Sequence, residues 1–325
     1  MGKDRLDAKI ESNHPISGYI GFAPTGQIHL GYLLPCMKIR DLTLAGCRVA
    51  IMLADIHAML DERKTPAHLV SARTEYYQVV LTKILEVLGC DLGLIKFVRG
   101  SEFQLTADYT VDVWELASRV TINAAKKAGT EVVKQTKDPK LGSALYPLMQ
   151  AVDENHIGAV AFDCQVDFEL GGLDQRKIFC FSYDWDKKDP LGTISYLMNP
   201  IVSLAKTGKM SASDIHGKIN FTDDESMIQQ KIKKAFCADK DADCGLMKLM
   251  QCVFFSLSDT IILSNNDVDL TYTSYNQFEN DFKAGVFGAV DLKRKISDLI
   301  CDLIMPIREF LLTPKMLELV TNAYP

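Results

Sequence analysis

The segment Gly21-Phe22-Ala23-Pro24-Thr25-Gly26-Gln27-Ile28-His29-Leu30-Gly31-Tyr32 passes from an apolar stretch through a Pro/Gly turn to a histidine at the head of a helical pattern. Such a junction suits a nucleotide, because helix N-terminal amides and the positive end of the helix dipole favour phosphate oxygens. Gly26 and Gly31 lack a Cβ, so a ligand or another backbone can come close. His29 could donate a hydrogen bond to charge developing on a phosphate. The same residues also describe a plain glycine turn with a surface histidine. A second segment, Lys206-Thr207-Gly208-Lys209-Met210-Ser211-Ala212-Ser213, is polar and carries a glycine. Lys209 offers a compact charge to a triphosphate, and Ser211 and Ser213 offer hydroxyls. It lacks the upstream glycines of a Walker A loop and, by itself, reads as a linker. In the third segment, Tyr146, Gln150 and Asp153 fall on one face of a helix. A lone Asp on such a face is ordinarily solvated. The Gly171-Gly172-Leu173-Asp174-Gln175 turn nearby in sequence favours a ligand pocket instead.

The elements that must position these residues alternate. Ser17–Ala23, Arg48–Ala54 and Leu94–Val98 read as strands, with turn residues after the first. His29–Leu44, Pro66–Leu88, Ala107–Lys127 and Ala144–Ile157 read as helices, the first two closed by Gly46 and Gly89. Strand–helix alternation predicts a parallel sheet with crossover helices. After about Ser213 helical signals dominate: Glu225–Phe236, Leu246–Phe255 and Leu292–Leu312, with Asn265–Asp269 as a polar loop. The expected organisation is α/β in residues 1–213, a Rossmann-like doubly wound sheet, and an all-helical region in residues 214–325.

In combination, the first two segments resemble the paired signatures of class I aminoacyl-tRNA synthetases. The third resembles the tyrosyl-tRNA synthetases of the archaeal/eukaryotic type, and so do Leu53–Ala58, Gly100–Leu105, Lys231–Cys237 and Pro306–Glu309. The resemblance runs in order from about Ile16 to Phe310. Tyr32 stands where the first signature usually ends in a second histidine. Ala212 stands where tyrosyl members mostly carry serine and tryptophanyl members often carry alanine, which keeps a tryptophanyl-tRNA synthetase as the nearest alternative. Ile157–Asp167 reads as an insertion relative to the family.

The resemblance implies roles for individual residues. Asp153, with Tyr19 as its donor partner, would take the hydroxyl of tyrosine; Tyr146, Gln150 and Gln175 would take its amino and carboxylate end. Gly21, Gly26, His29, Gly31, Gly171, Gly172, Asp174 and Met210 would surround ATP, with His29, Lys209 and Ser211 acting on the phosphates and Mg²⁺ accompanying the nucleotide. Cys237 and Asp291 would approach the first anticodon base of tRNA(Tyr). From sequence alone, Asp291 reads equally as an N-cap for a helix starting at Leu292. The implied assembly is a homodimer. Two further readings compete: a small-molecule nucleotidyltransferase, which would not need the helical half, and a synthetase relic that only binds tRNA, which the intact His29, Lys209, Asp153 and Gln175 oppose.

Bulk composition agrees with a soluble cytoplasmic enzyme. The 325 residues are 47% hydrophobic and 24% charged, and the net charge is −6. That sign is unusual for a nucleic-acid partner, which leaves three local basic stretches to meet one: Lys126–Lys140, Lys231–Lys234 and Lys293–Lys295. The nine cysteines are scattered without a C-x-x-C pair, so free thiols in a reducing compartment are expected and no structural metal. No apolar run is long enough to span a bilayer.

Overall fold

A computed structural model gives the fold; it describes residues 1–61, 64–133, 137–186, 194–202, 204–205, 218–265 and 268–325. Five strands, β1 (Ser17–Phe22), β2 (Arg48–Leu53), β3 (Ile95–Arg99), β4 (Phe168–Gly172) and β5 (Ser195–Asn199), form one sheet in the order β3-β2-β1-β4-β5. Every neighbouring pair is parallel. The chain builds outward from β1 to β3 and then returns to the other side of β1. The strand order therefore reverses between β1 and β4, and in open parallel sheets the carboxyl ends at such a reversal are where ligands bind.

β2 reads Arg-Val-Ala-Ile-Met-Leu and is buried on both faces, as a central parallel strand must be. Val49, Ile51 and Leu53 point into a core shared with helices Leu33–Leu44 and Val70–Val87; Ala50 and Met52 point the other way, toward helix Gly142–Phe162. The first of these cores continues without a break into the C-terminal helices, through Ile219, Phe221 and Ile228 to Ile296, Ile300 and Ile304. Helix Pro314–Ala323 packs back on helix Val70–Val87. Among the described residues, no helix is long and apolar enough to cross a membrane.

Several sequence expectations shift. The Ala107–Lys127 helix is two, Ala107–Arg119 and Ile122–Ala128, because Thr121 caps the second by accepting from Ala124 N–H at 3.2 Å. Asn265, Val268 and Asp269 belong not to an open loop but to an antiparallel pair, β6 (Ile261–Asn265) with β7 (Val268–Tyr272), so among the described residues two strands interrupt the helices of the C-terminal region. The charged start of the chain forms a helix, Lys3–Glu11.

Ile157–Asp167 has a simple conformation: the helix runs on to Phe162, Asp163 closes it in the left-handed region at φ 55°, and the chain turns straight back to β4. Gly158 makes that return possible, since a Cβ there would lie 2.2 Å from the Cys164 carbonyl oxygen. Asp167 sits at the amino ends of the strands, where its carboxylate accepts from Ser17 N–H at 2.8 Å and pairs with Lys9. Asp163, Gln165 and Asp167 are thus at the opposite end of the sheet from the strand ends that hold the site.

Candidate active site

A cavity of about 960 Å³ opens at the carboxyl ends of β1 and β4. Of the residues expected around ATP, Gly21, Gly26, His29, Gly31, Gly171, Gly172 and Asp174 all line it, and so do Tyr146, Gln150 and Gln175 from the amino-acid set. Lys209, Met210 and Ser211 lie outside the described residues.

His29 is held at the head of a short 3-10 turn, Leu30–Tyr32, where its Nδ1 accepts from Gly31 N–H at 3.2 Å. An accepting Nδ1 puts the proton of a neutral imidazole on Nε2. Burial, with the nearby Lys218 adding to it, lowers the imidazole to about 4. At neutral pH His29 is therefore an uncharged Nε2–H donor at the cavity wall. Its backbone bridges Asn220, and Leu30 N–H donates to Ile219 O at 2.8 Å, so the segment after residue 217 comes directly alongside.

The amino-acid end is a connected polar set. Gln150 Nε2 donates to Gln175 Oε1 at 3.3 Å and to Glu169 Oε1 at 2.9 Å. Gly171 must lack a side chain here, since a Cβ would lie 2.7 Å from the Phe179 ring and 2.9 Å from Gln175 Cγ. Glu169 was not anticipated: a carboxylate in the apolar run of β4, 3% exposed and lining the cavity, whose pKa is raised by burial. Its presence amid Phe168 and Leu170 was the available signal.

Tyr19 and Asp153 are both fully buried, and neither is among the residues that line the cavity. The structure corrects the expected donor to Asp153. Gln104 Nε2 at 2.7 Å and Tyr109 OH at 2.8 Å both bond Asp153 Oδ1, and His57 Nε2 stands 3.6 Å from Oδ2. The two matching stretches around His57 and Gln104 meet here, tied by Asp55, which accepts from Ser101 N–H at 2.8 Å and Ser101 Oγ at 2.6 Å. Burial pushes Asp153 up to about 7 against the pull of its two donors, and burial lowers His57 to about 4. Among the described residues, Asp153 Oδ2 and His57 Nε2 are buried without a well-formed hydrogen bond, and Tyr19 OH and Glu169 Oε2 are buried with at most a weak one to each other. Buried polar atoms are almost always paired, so a group of unpaired ones marks where a polar ligand group belongs.

At the other end of the molecule, Asp291 is the third residue of helix Ala289–Leu311, and its Oδ2 accepts from Gly288 N–H at 3.1 Å. It does cap, but from inside the first turn rather than before Leu292. Asp239 Oδ1 accepts from Ala289 N–H at 2.6 Å and Lys293 Nζ donates to Lys233 O at 3.1 Å. These contacts bring the Cys237 loop and two of the basic stretches to the head of the same helix. Cys237 Sγ lies 3.4 Å from Cys244 Sγ. Among the described residues, no cluster of His, Cys, Asp and Glu is built to hold a metal ion.

The family model for class I tRNA synthetases (W and Y) matches residues 11–303. A cytoplasmic tyrosine–tRNA ligase of Xenopus laevis is 38% identical over 329 residues, 100% of this chain and 61% of that protein; the chain thus spans about three fifths of that relative. A tyrosine–tRNA ligase of Haloarcula marismortui is 36% identical over 335 residues, covering 99% of this chain and 93% of its own. The crystal structure of tyrosyl-tRNA synthetase from Archaeoglobus fulgidus, complexed with L-tyrosine, superposes with a TM-score of 0.84 at 32% identity, over 95% of this chain and 94% of that one.

Proposed function

Because the chain belongs to the class I tRNA synthetases of the tryptophanyl and tyrosyl group, we propose that it activates tyrosine with ATP and transfers it to the 3′ end of tRNA(Tyr). The observation that carries the tyrosyl reading is Asp153 Oδ2, buried without a hydrogen bond and with the Tyr19 hydroxyl nearby, on the same helix as the cavity-lining Tyr146 and Gln150. One phenol hydroxyl satisfies both: it donates to the carboxylate and accepts from the tyrosine side chain. An indole N–H can only donate, so it could serve Asp153 but could not accept from Tyr19 OH.

In the first step the tyrosine carboxylate attacks the α-phosphorus of ATP, giving tyrosyl-adenylate and releasing pyrophosphate. In the second the terminal ribose of the tRNA takes the tyrosyl group. No side chain has to act as nucleophile. Gln150, Gln175 and Tyr146 orient the amino acid, Gly171, Gly172 and Asp174 receive the nucleoside, and the neutral Nε2–H of His29 donates to the phosphates. Lys209 and Ser211 would add to that charge stabilisation, and Mg²⁺ arrives with ATP. The catalytic part would end and the anticodon-reading part begin at residues 213 and 214, which lie outside the described residues. The relatives' cytoplasmic naming points to the same compartment for this chain. Val111, Trp114 and Ile122, exposed along adjoining helices, are the apolar face on which a second copy would complete the homodimer.

The direct test is ATP–pyrophosphate exchange with each of the twenty amino acids. Tyrosine alone should support rapid exchange; faster exchange with tryptophan would transfer the chain to the sibling activity.

Lys233, Lys293 and Arg294 gather beside Cys237 and Asp291, giving an acidic chain a local surface for the anticodon stem. A carboxylate can accept from a guanine amino group. Because Asp291 also caps its helix, Asp291→Ala should lower stability by about 0.5–2 kcal/mol. Asp291→Asn keeps an accepting oxygen for Gly288 N–H but removes the charge. It should raise the KM for tRNA, with melting temperature and pyrophosphate exchange unchanged. If KM stays at the wild-type value in Asp291→Asn, the carboxylate is a cap and nothing more.

A further inference from the structure

The turn after β1 is held from behind by residues remote in sequence, two of them at positions 323 and 324. Its three consecutive carbonyls are each engaged: Pro24 O accepts from Thr65 Oγ1 at 3.2 Å, Thr25 O from Arg73 Nη1 at 2.5 Å, and Gly26 O from both Tyr77 OH at 2.7 Å and Tyr324 OH at 2.8 Å. Arg73 is 8% exposed and forms the hub of this arrangement. Its Nη1 also donates to Lys64 O at 2.8 Å, its Nε donates to Ala323 O at 2.9 Å, and its guanidinium lies 4.6 Å from the centre of the Tyr324 ring. The Tyr324 ring stands edge-on to Tyr76, 5.3 Å away, and Tyr32 OH and Tyr77 OH are 2.9 Å apart.

A trans peptide points its C=O and the following N–H in opposite directions. Drawing Thr25 O and Gly26 O toward Arg73, Tyr77 and Tyr324 turns Gly26 N–H and Gln27 N–H the other way. Among the described residues neither amide has a hydrogen-bond partner. Thr25 and Gly26 line the cavity. Successive free amides on one concave turn form an anion-binding nest.

We propose that Arg73 and Tyr324 are positioning residues for the nucleotide: they lock the Pro24–Gly26 turn with its amides toward the ATP phosphates, so that the C-terminal helix Pro314–Ala323 sets the geometry of the activation site. This rests on the ATP-dependent reading above. It gives that helix a part in the first, tRNA-independent step. The effect on ATP should be separable from any effect on tyrosine, whose pocket uses a different set of residues on β1, β4 and helix Gly142–Phe162.

The test uses the full chain and two variants. Tyr324→Phe removes one hydroxyl and keeps the ring under Arg73. Arg73→Lys keeps the charge and loses the planar fork that reaches Thr25 O, Lys64 O and Ala323 O together. Equilibrium binding of a non-hydrolysable ATP analogue and of tyrosine is measured by calorimetry, beside tyrosine-dependent pyrophosphate exchange and thermal melting. Tyr324→Phe should weaken the ATP analogue by about 3–10-fold, the loss of one net hydrogen bond, and Arg73→Lys by more. Tyrosine affinity should stay within twofold in both. ATP-analogue affinity at the wild-type value in both variants overturns the proposal. So does equal weakening of tyrosine and nucleotide with a lowered melting temperature, which describes a merely structural contact. If the wild-type chain shows no tyrosine-dependent exchange, the activity reading falls, while the ATP-analogue affinities still decide whether the clamp positions a nucleotide.

Discussion

Asp153→Ala should lose most of its activity with tyrosine and far less with phenylalanine, so that the ratio of the two kcat/KM values collapses by about two to three orders of magnitude. The two substrates differ by one hydroxyl. A site built to bond a substrate hydroxyl rejects the analogue lacking it by about 10⁴–10⁵-fold, a magnitude already known from tyrosyl-tRNA synthetase itself, because phenylalanine leaves buried polar groups unpaired. Here those groups are Asp153 Oδ2 and Tyr19 OH. Removing the carboxylate also takes one acceptor from Gln104 Nε2 and from Tyr109 OH, which would be left with His57 Nδ1 and Met149 O, so Asp153→Asn serves as the variant that keeps the shape. Tyr19→Phe, which removes one neutral hydrogen bond, should give a smaller collapse.

The pH dependence follows from the same carboxylate. Burial sets Asp153 near 7 in the free protein, above its unfolded value. The native state therefore binds the extra proton, and its contribution to stability is full below about pH 4 and lost as pH rises through 7. Tyrosine recognition runs the other way, because the ionised carboxylate is the acceptor. The kcat/KM for tyrosine should fall with a one-proton slope as pH drops below about 7, the profile for phenylalanine should lack that limb, and Asp153→Asn should erase it. A folded Asp153→Asn that keeps both the full preference and the acid limb would remove helix Gly142–Phe162 from the substrate pocket.

The parts of this site that were legible in sequence are those whose partners are close along the chain. Tyr146, Gln150 and Asp153 share a helical face by spacing alone, and the Pro24–His29 turn announces its own geometry. The surroundings of Asp153 were hidden because its donors come from 49 and 44 residues away. Only the packing of helices Ser101–Gln104 and Ala107–Arg119 against helix Gly142–Phe162 brings them in. Glu169 was passed over because Phe168–Gly172 was not read as a strand, and burial on both faces of β4 is a property of the assembled sheet. The β6–β7 pair was hidden by the polar run Asn265–Asp269, since polar residues at the ends of short strands and residues of an open loop are the same types. Asp291 shows the remaining limit. Its type and position supported both a cap and a base contact; its 3.1 Å bond to Gly288 N–H establishes the cap, and its Oδ1 stands 3.9 Å from Arg294 Nη1.

His29→Ala should slow tyrosyl-adenylate formation by about 10²–10³-fold, the loss typical of removing one preorganised donor from a developing oxyanion. The donor is the neutral Nε2–H, because Nδ1 is occupied by Gly31 N–H and burial lowers the ring to about 4. A donor that carries no charge in the ground state binds ATP only modestly. It strengthens its bond as negative charge builds on the phosphate oxygens, so the loss should fall on the chemical rate more than on KM. His29→Asn, which retains an N–H₂ donor of shorter reach, should recover part of the rate. Between pH 5 and 8 the wild-type rate at saturating tyrosine should show no limb belonging to His29, since the ring is already deprotonated throughout. An imidazolium donor would instead lose activity as pH rises through about 6.5, the ordinary histidine value. Lys209, which only the sequence places, should behave alike on substitution by Ala: a slower chemical step with tyrosine affinity barely changed. Single-turnover measurement of adenylate formation, with tyrosine affinity taken separately, reads all of this. A His29→Ala protein that forms adenylate at the wild-type rate, or one that loses tyrosine binding instead, would leave the turn after β1 as a structural corner and move the phosphate chemistry elsewhere.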